Sequence, residues 1–129
     1  MLEFAIPIKP QGKARHRSMI RGGKIATYNT KKATTYEAAI REYVRSKYDG
    51  DPLEGPLIVS IYAWFKKPKS SRLTHPSVKP DADNIAKAVL DSLNGILWHD
   101  DKQVCQLSIH KVYADLDAIE LEVMRMSEI

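Results

Sequence analysis

The sequence predicts an α+β domain, a small mixed or antiparallel sheet with two main helices packed on it, and three observations support this. Four segments alternate apolar and polar residues with the period of two that buries one face of a strand. Two further segments repeat apolar residues at helical spacing. The chain has 129 residues, 43% hydrophobic and 28% charged, which suits one compact domain over residues 1–129 with its own core.

Each element has a local signature. Leu2, Phe4, Ile6 and Ile8 alternate in the first strand, and a short strand around Lys24 to Tyr28 follows the "GG" turn. The segment "TTYEAAIREYVRSKY" opens with Thr34 three residues before Glu37, the spacing of a capping box, and repeats Tyr36, Ile40, Tyr43, Val44 and Tyr48 until "DGDP" stops it. Leu57, Val59, Ile61, Ala63 and Phe65 alternate next. The following "KKPKSSRLTHPSVKP" reads as a mobile loop. A second helix is expected from Asp83 as N-cap to about Asn94, ended by Gly95, with "GILW" as a brief strand beside it. Leu107 and Ile109, then Ile119, Leu121 and Val123, mark the last two strands.

Several classes are excluded or set aside. No apolar run reaches the length of a membrane helix, and Glu3 and Pro7 break the N-terminus as a signal peptide, so a cytoplasmic protein with no membrane partner is expected. A single cysteine rules out an internal disulfide and a cysteine-cluster metal site; Cys105, in an alternating strand, reads as a buried structural thiol. Trp64 and Trp98, each inside an apolar run, read as core or interface residues.

Charge distribution says more than the net +4. No acid occurs between Ala5 and Tyr36, where eight cations lie, and none between Lys66 and Pro80, where five more lie, so thirteen of twenty basic residues occupy two segments. Such segregation suits a polyanion, because phosphate contacts release counterions and the field steers association. Lys13, Arg15, Arg17 and Arg21 from the first segment and Lys66, Lys67, Lys69 and Arg72 from the second are the expected DNA-binding cations. His16, between two arginines, reads as DNA-facing or solvated.

A cluster of acids follows directly after the second of these segments, in "KPDADNIAKAVLDSLNGILWHDDKQV". On a helical wheel Asp83, Asn84, Lys87, Asp91 and Asn94 share one arc, with Ile85, Ala86, Val89, Leu90 and Leu93 opposite. Asp81 precedes the helix, and Asp100 and Asp101 follow the apolar run. Carboxylates brought together repel unless a cation neutralises them, and hard oxygen donors without a histidine or cysteine set select Mg²⁺, for which Mn²⁺ substitutes. The same row also reads as a solvated face with i,i+4 pairs worth about 0.2–0.5 kcal/mol each.

At these residues the sequence resembles the RusA family of Holliday junction resolvases: Asp-x-Asp-Asn, a lysine three residues on, an aspartate four further, then Asp-Asp-x-Gln-Val. The lead-in "IPIKPQGKARHR" is also similar, although His16 stands where a proline often separates two arginines. The resemblance implies a RusA-like domain in which Asp81, Asp83 and Asp101 are the essential acidic residues of catalysis and Lys87 the essential basic one, supplying positive charge near the reacting phosphate. It implies metal held by Asp81, Asp83, Asp100 and Asp101, with Asn84, Asp91 and Gln103 in supporting positions. It further implies a homodimer that nicks two strands of four-way junction DNA symmetrically with Mg²⁺ or Mn²⁺, in recombination and repair, and a phage or prophage origin, with Phe65 and the basic loop after it as a candidate for entering the junction centre. Two other readings remain: a non-catalytic basic DNA-binding module with a structural acidic cluster, and a small transferase holding a nucleotide diphosphate on Asp-x-Asp.

Overall fold

The computed structural model describes residues 1–13, 17–21, 24–28 and 31–129, with side chains for residues 1–13 and 31–129. Its main sheet has four strands in the order β1 (Leu2–Ile6), β6 (Ala118–Arg125), β4 (Leu57–Lys66), β5 (Val104–Ala114). β6 runs antiparallel to both neighbours, while β4 and β5 are parallel, so the sheet is mixed. The chain between the two parallel strands carries helix α2 (Ala82–Ser92), as a parallel pair requires a crossover. Helix α1 is Lys31–Lys47. A separate hairpin pairs β2 (Arg17–Arg21) with β3 (Lys24–Tyr28), the weak strand now joined by one that carries no clear alternation.

Alternation explains the core. Leu57, Val59, Ile61, Ala63 and Phe65 of β4, Ile119, Leu121 and Val123 of β6, and Phe4 and Ile6 of β1 are all buried on one face. Against it pack Tyr36, Ile40 and Val44 of α1 and Ile85, Ala86, Val89 and Leu90 of α2. Burying a large aliphatic side chain contributes about 1.5–3 kcal/mol, so this layer holds the fold. Phe65 belongs to it at 8% exposure, so it does not project from the surface as a wedge into a DNA branch.

Four local expectations are corrected. Helix α1 begins at Lys31, so Thr34 lies within it and the Thr34/Glu37 capping box does not start the helix. Helix α2 takes Asp81, not Asp83, as its N-cap residue and ends at Ser92. "GILW" is a turn rather than a strand: Gly95 at φ +80° reverses the chain, and Ile96, Leu97 and Trp98 enter the core. Trp98 is fully buried, and its indole N–H donates to Asn94 at 2.8 Å, so Asn94 serves the turn. Cys105 is exposed, because the register between β4 and β5 slips there: Leu57 pairs with Val104 and Ile58 with Gln106, leaving Cys105 at the bulge.

Candidate active site

Helix α2 supplies one exposed row. Asp83, Asn84 and Lys87 are exposed and Asp91 half-buried, while the opposite side of the helix is core. Asp81 and Asp83 stand at the positive end of the helix dipole, where carboxylates are stabilised by about 0.3–1 kcal/mol each. The Asp81 side chain makes no capping hydrogen bond, so its carboxylate stays open to a ligand.

The second group of acids is fixed by a different device. Asp100 caps a 3-10 turn at Asp101–Gln103, its carboxylate accepting from the Lys102 N–H at 2.9 Å. Gln103 fastens this turn: its side-chain oxygen accepts from the N–H of His99 at 2.8 Å and Asp100 at 3.1 Å, and its amide donates to the carbonyls of Leu53 at 2.8 Å and Gly55 at 3.0 Å. Asp101 is thereby held beside Asp91, Asp100 and Lys87. Burial pushes its carboxyl above the usual range, and the charges of Asp100 and Asp91 and a hydrogen bond with Asp91 add to the rise, against Lys87.

The acids therefore form two groups along α2, Asp81 and Asp83 at its start and Asp91, Asp100 and Asp101 near its end, with Lys87 between. Residues 83 and 91 are about 12 Å apart along the helix axis at 1.5 Å per residue. Among the described residues no three acidic, histidine or cysteine side chains converge at metal-binding distance. The donor set nonetheless fits a hard cation, since every candidate donor is a carboxylate oxygen and the crowding that raises Asp101 is what a cation relieves.

Lys13 faces inward. Its ammonium lies 2.5 Å from Glu37 of α1 and 3.2 Å from Asp91 of α2, with its side chain only 13% exposed. Burial depresses its pKa, but Glu37 and Asp91 outweigh that and raise it. Its N–H also donates to the Asn84 carbonyl at 2.9 Å, and this close crossing needs Gly12, where a Cβ would meet those of Asn84 at 3.2 Å and Pro80 at 3.3 Å.

The other expected DNA-binding cations are spread. Lys66, Lys67, Lys69 and Arg72 are exposed at and beyond the end of β4. Arg17 and Arg21 are the end residues of β2, and Arg15 and His16 lie outside the described residues. Two hollows adjoin the start of α2. One, of about 700 Å³, is lined by Lys9, Lys32, Lys79, Asp81 and Asn84 among others; the next, of about 570 Å³, shares Lys9, Lys79 and Pro80 with it. Lys9, Lys32 and Lys79 belong to the acid-free stretches of the sequence, whereas Lys111, in the second hollow, carries no sequence signal, and the spacing of Glu37 from Thr34 signals a helix cap rather than its pairing with Lys13.

Fold and site together define an α+β domain that sets a carboxylate-and-lysine face beside cationic hollows. The family model described as Endodeoxyribonuclease RusA matches residues 7–124, and the chain belongs to that family of nucleases. It is also similar to the uncharacterized protein YqaN of Bacillus subtilis (strain 168), 25% identical over 138 residues that cover 98% of this chain and 97% of that protein.

Proposed function

We propose that the protein is a metal-dependent endodeoxyribonuclease that resolves four-way DNA junctions by paired symmetric nicks, acting as a homodimer so that two sites meet two strands. The observation that carries this reading is the row of exposed Asp83 and Lys87 and half-buried Asp91 on α2, flanked by Asp81 and the Asp100–Asp101 turn and bordered by lysine-lined hollows. Magnesium or manganese would be held by Asp81 and Asp83 at the start of α2 and by Asp100 and Asp101 near its end, two carboxylate pairs for one ion or two, and its chemistry is to polarise a phosphoryl oxygen and strengthen water as a nucleophile. Lys87, exposed on the same row, balances charge developing on the phosphate. Asn84 borders the hollow nearest Asp81, and Gln103 keeps the Asp100–Asp101 turn in place. The basic residues from Arg15 to Arg21 and from Lys66 to Arg72 hold the junction arms.

A second reading, a DNA-binding module that does not cut, is favoured by two observations: Lys13 already neutralises part of the acid cluster through Asp91, and no metal trio is assembled among the described residues. The two are separated by incubating the protein with a labelled synthetic four-way junction in Mg²⁺ and in EDTA, alongside Asp83→Asn. The nuclease reading expects paired nicks in Mg²⁺, none in EDTA, and none with Asp83→Asn, which still binds. Binding without cutting in Mg²⁺ or Mn²⁺ would leave the module.

A further inference from the structure

The second hollow is built for more than attraction of a phosphate chain. Phe65, Tyr113, Pro68, Pro76 and Pro80 line it together with lysines, of which Lys66, Lys67, Lys69 and Lys79 are exposed and so form its rim. Asp117 is the one acid among its lining residues, and its carboxylate accepts from the Lys66 N–H at 2.8 Å. Lys111, half-buried, donates to the Val78 carbonyl at 2.5 Å, and the Tyr113 N–H donates to the Thr74 carbonyl at 3.2 Å, so the irregular segment after β4 is tied across the end of β5. Among the described residues the ammonium groups of Lys9, Lys67, Lys69 and Lys79 have no carboxylate partner.

An aromatic and proline-lined hollow with a cationic rim matches one ligand chemistry, a nucleoside phosphate: a flat base against apolar walls and an anion at the rim. The volume of about 570 Å³ falls inside the range of about 300–1,000 Å³ typical of small-ligand clefts. Stacked duplex cannot offer a single base to such a cleft, whereas an unpaired nucleotide can be read there by stacking on aromatic and apolar side chains. Lys9, Lys79 and Pro80 line both this hollow and the one that holds Asp81, so the two are neighbours.

We infer that this cleft takes one unpaired nucleotide of the DNA substrate, next to the acids at the start of α2. The assignment rests on the nuclease reading above and deepens it, because it makes an unstacked base at the branch point part of what the protein recognises. Lys9, Lys79, Lys111 and Tyr113 then join the substrate-contacting residues.

The test is photo-cross-linking of the full-length protein, in EDTA so that no strand is cut, to four-way junctions carrying 5-iododeoxyuridine at each position beside the branch. Cross-linking to Tyr113 from one position, absent with linear duplex and reduced about tenfold or more in Lys67→Ala/Lys79→Ala through loss of two phosphate contacts, is the expected result. Both lysines are exposed, so this variant folds independently of the outcome, whereas Tyr113→Leu adds the loss of the cross-link itself. Cross-links spread evenly over positions, equal yields from duplex, or saturable cross-linking of free 5-iododeoxyuridine monophosphate with none from the junction would each overturn the assignment. A protein that cuts junctions yet never cross-links at Tyr113 loses the cleft and keeps the nuclease reading. One that cross-links there but cuts nothing in Mg²⁺ or Mn²⁺ does the reverse.

Discussion

The Lys13 ammonium stands 3.2 Å from the Asp91 carboxylate, inside the domain, and so ties the start of the basic N-terminal segment to the helix that carries the acidic row. Glu37 holds the same ammonium from α1. One cation thus joins both helices and sits two contacts from Asp101, through Asp91.

Removing that cation leaves two poorly solvated carboxylates facing each other. Lys13→Met is expected to cost about 2–3 kcal/mol, below the range for a fully buried pair because the site keeps some solvent. Adding Glu37→Gln recovers part of the loss, since one of the stranded charges goes with it. Urea unfolding of the single and double variants measures both; a double variant no more stable than the single would mean that Lys13 contributes mainly by packing.

Alkaline pH probes the same corner. The Tyr36 hydroxyl accepts from the Gln11 N–H at 3.0 Å, and burial, opposed by that bond and reinforced by Glu37, pushes its pKa up to about 12. The unfolded chain ionises this tyrosine near 10 and the folded one near 12, so its stability contribution is intact below pH 10 and is lost as pH rises toward about 12. The raised pKa of Lys13 acts with the same sign, present below 10.5 and lost above it. Tyr36→Phe is expected to lower stability by about 1 kcal/mol at neutral pH through the lost hydrogen bond, and to flatten the decline between pH 10 and 12. Denaturation midpoints across that range are the measurement.

What was legible in the sequence was whatever repeats with a fixed period. Leu57 to Phe65 alternate because each second side chain meets α1 or α2, and Ile85 to Leu90 cluster because one side of α2 meets the sheet. Single-residue signals failed where tertiary contacts outweighed them. The Thr34/Glu37 spacing imitates a cap inside a helix that begins a turn earlier, and "GILW" is apolar because it enters the core as a turn. Spacing also cannot say that Asp101 lands near Asp91, about two helical turns from Asp83. Nor can it show that Lys13 turns inward, since that depends on Glu37, 24 residues away.

Acid crowding makes the free site a source of instability. Because the Asp101 carboxyl is raised, its favourable contribution is present below about pH 4 and is lost as pH rises through its folded value, leaving a net cost at neutral pH. Asp101→Asn is therefore expected to raise the melting temperature by about 3 °C in the absence of divalent ions. Mg²⁺ is expected to stabilise the unaltered protein by binding the folded state, and to stabilise Asp101→Asn less. Thermal melts with and without Mg²⁺ read both effects, and an Asp101→Asn protein that melts lower in EDTA would show that the carboxylate is structurally needed instead.

Gln103 offers a way to disturb the site without touching an acid. Its side chain makes four hydrogen bonds that clasp residues 99–103 to the segment at Leu53 and Gly55, and it is half-buried, so its loss strands backbone groups that water reaches poorly. Gln103→Ala is expected to cost about 2–3 kcal/mol. Gln103→Glu keeps both acceptor bonds and loses the two donor bonds, so it should fall between. Junction cleavage should decline in the same order while junction binding, carried by the basic arms, changes little. Hydrogen exchange at the Lys102 amide, which Asp100 protects, locates the cause: faster exchange in step with the loss of cutting means that the turn carrying Asp100 and Asp101 has come loose, and unchanged exchange with reduced cutting would assign Gln103 a contact with the substrate.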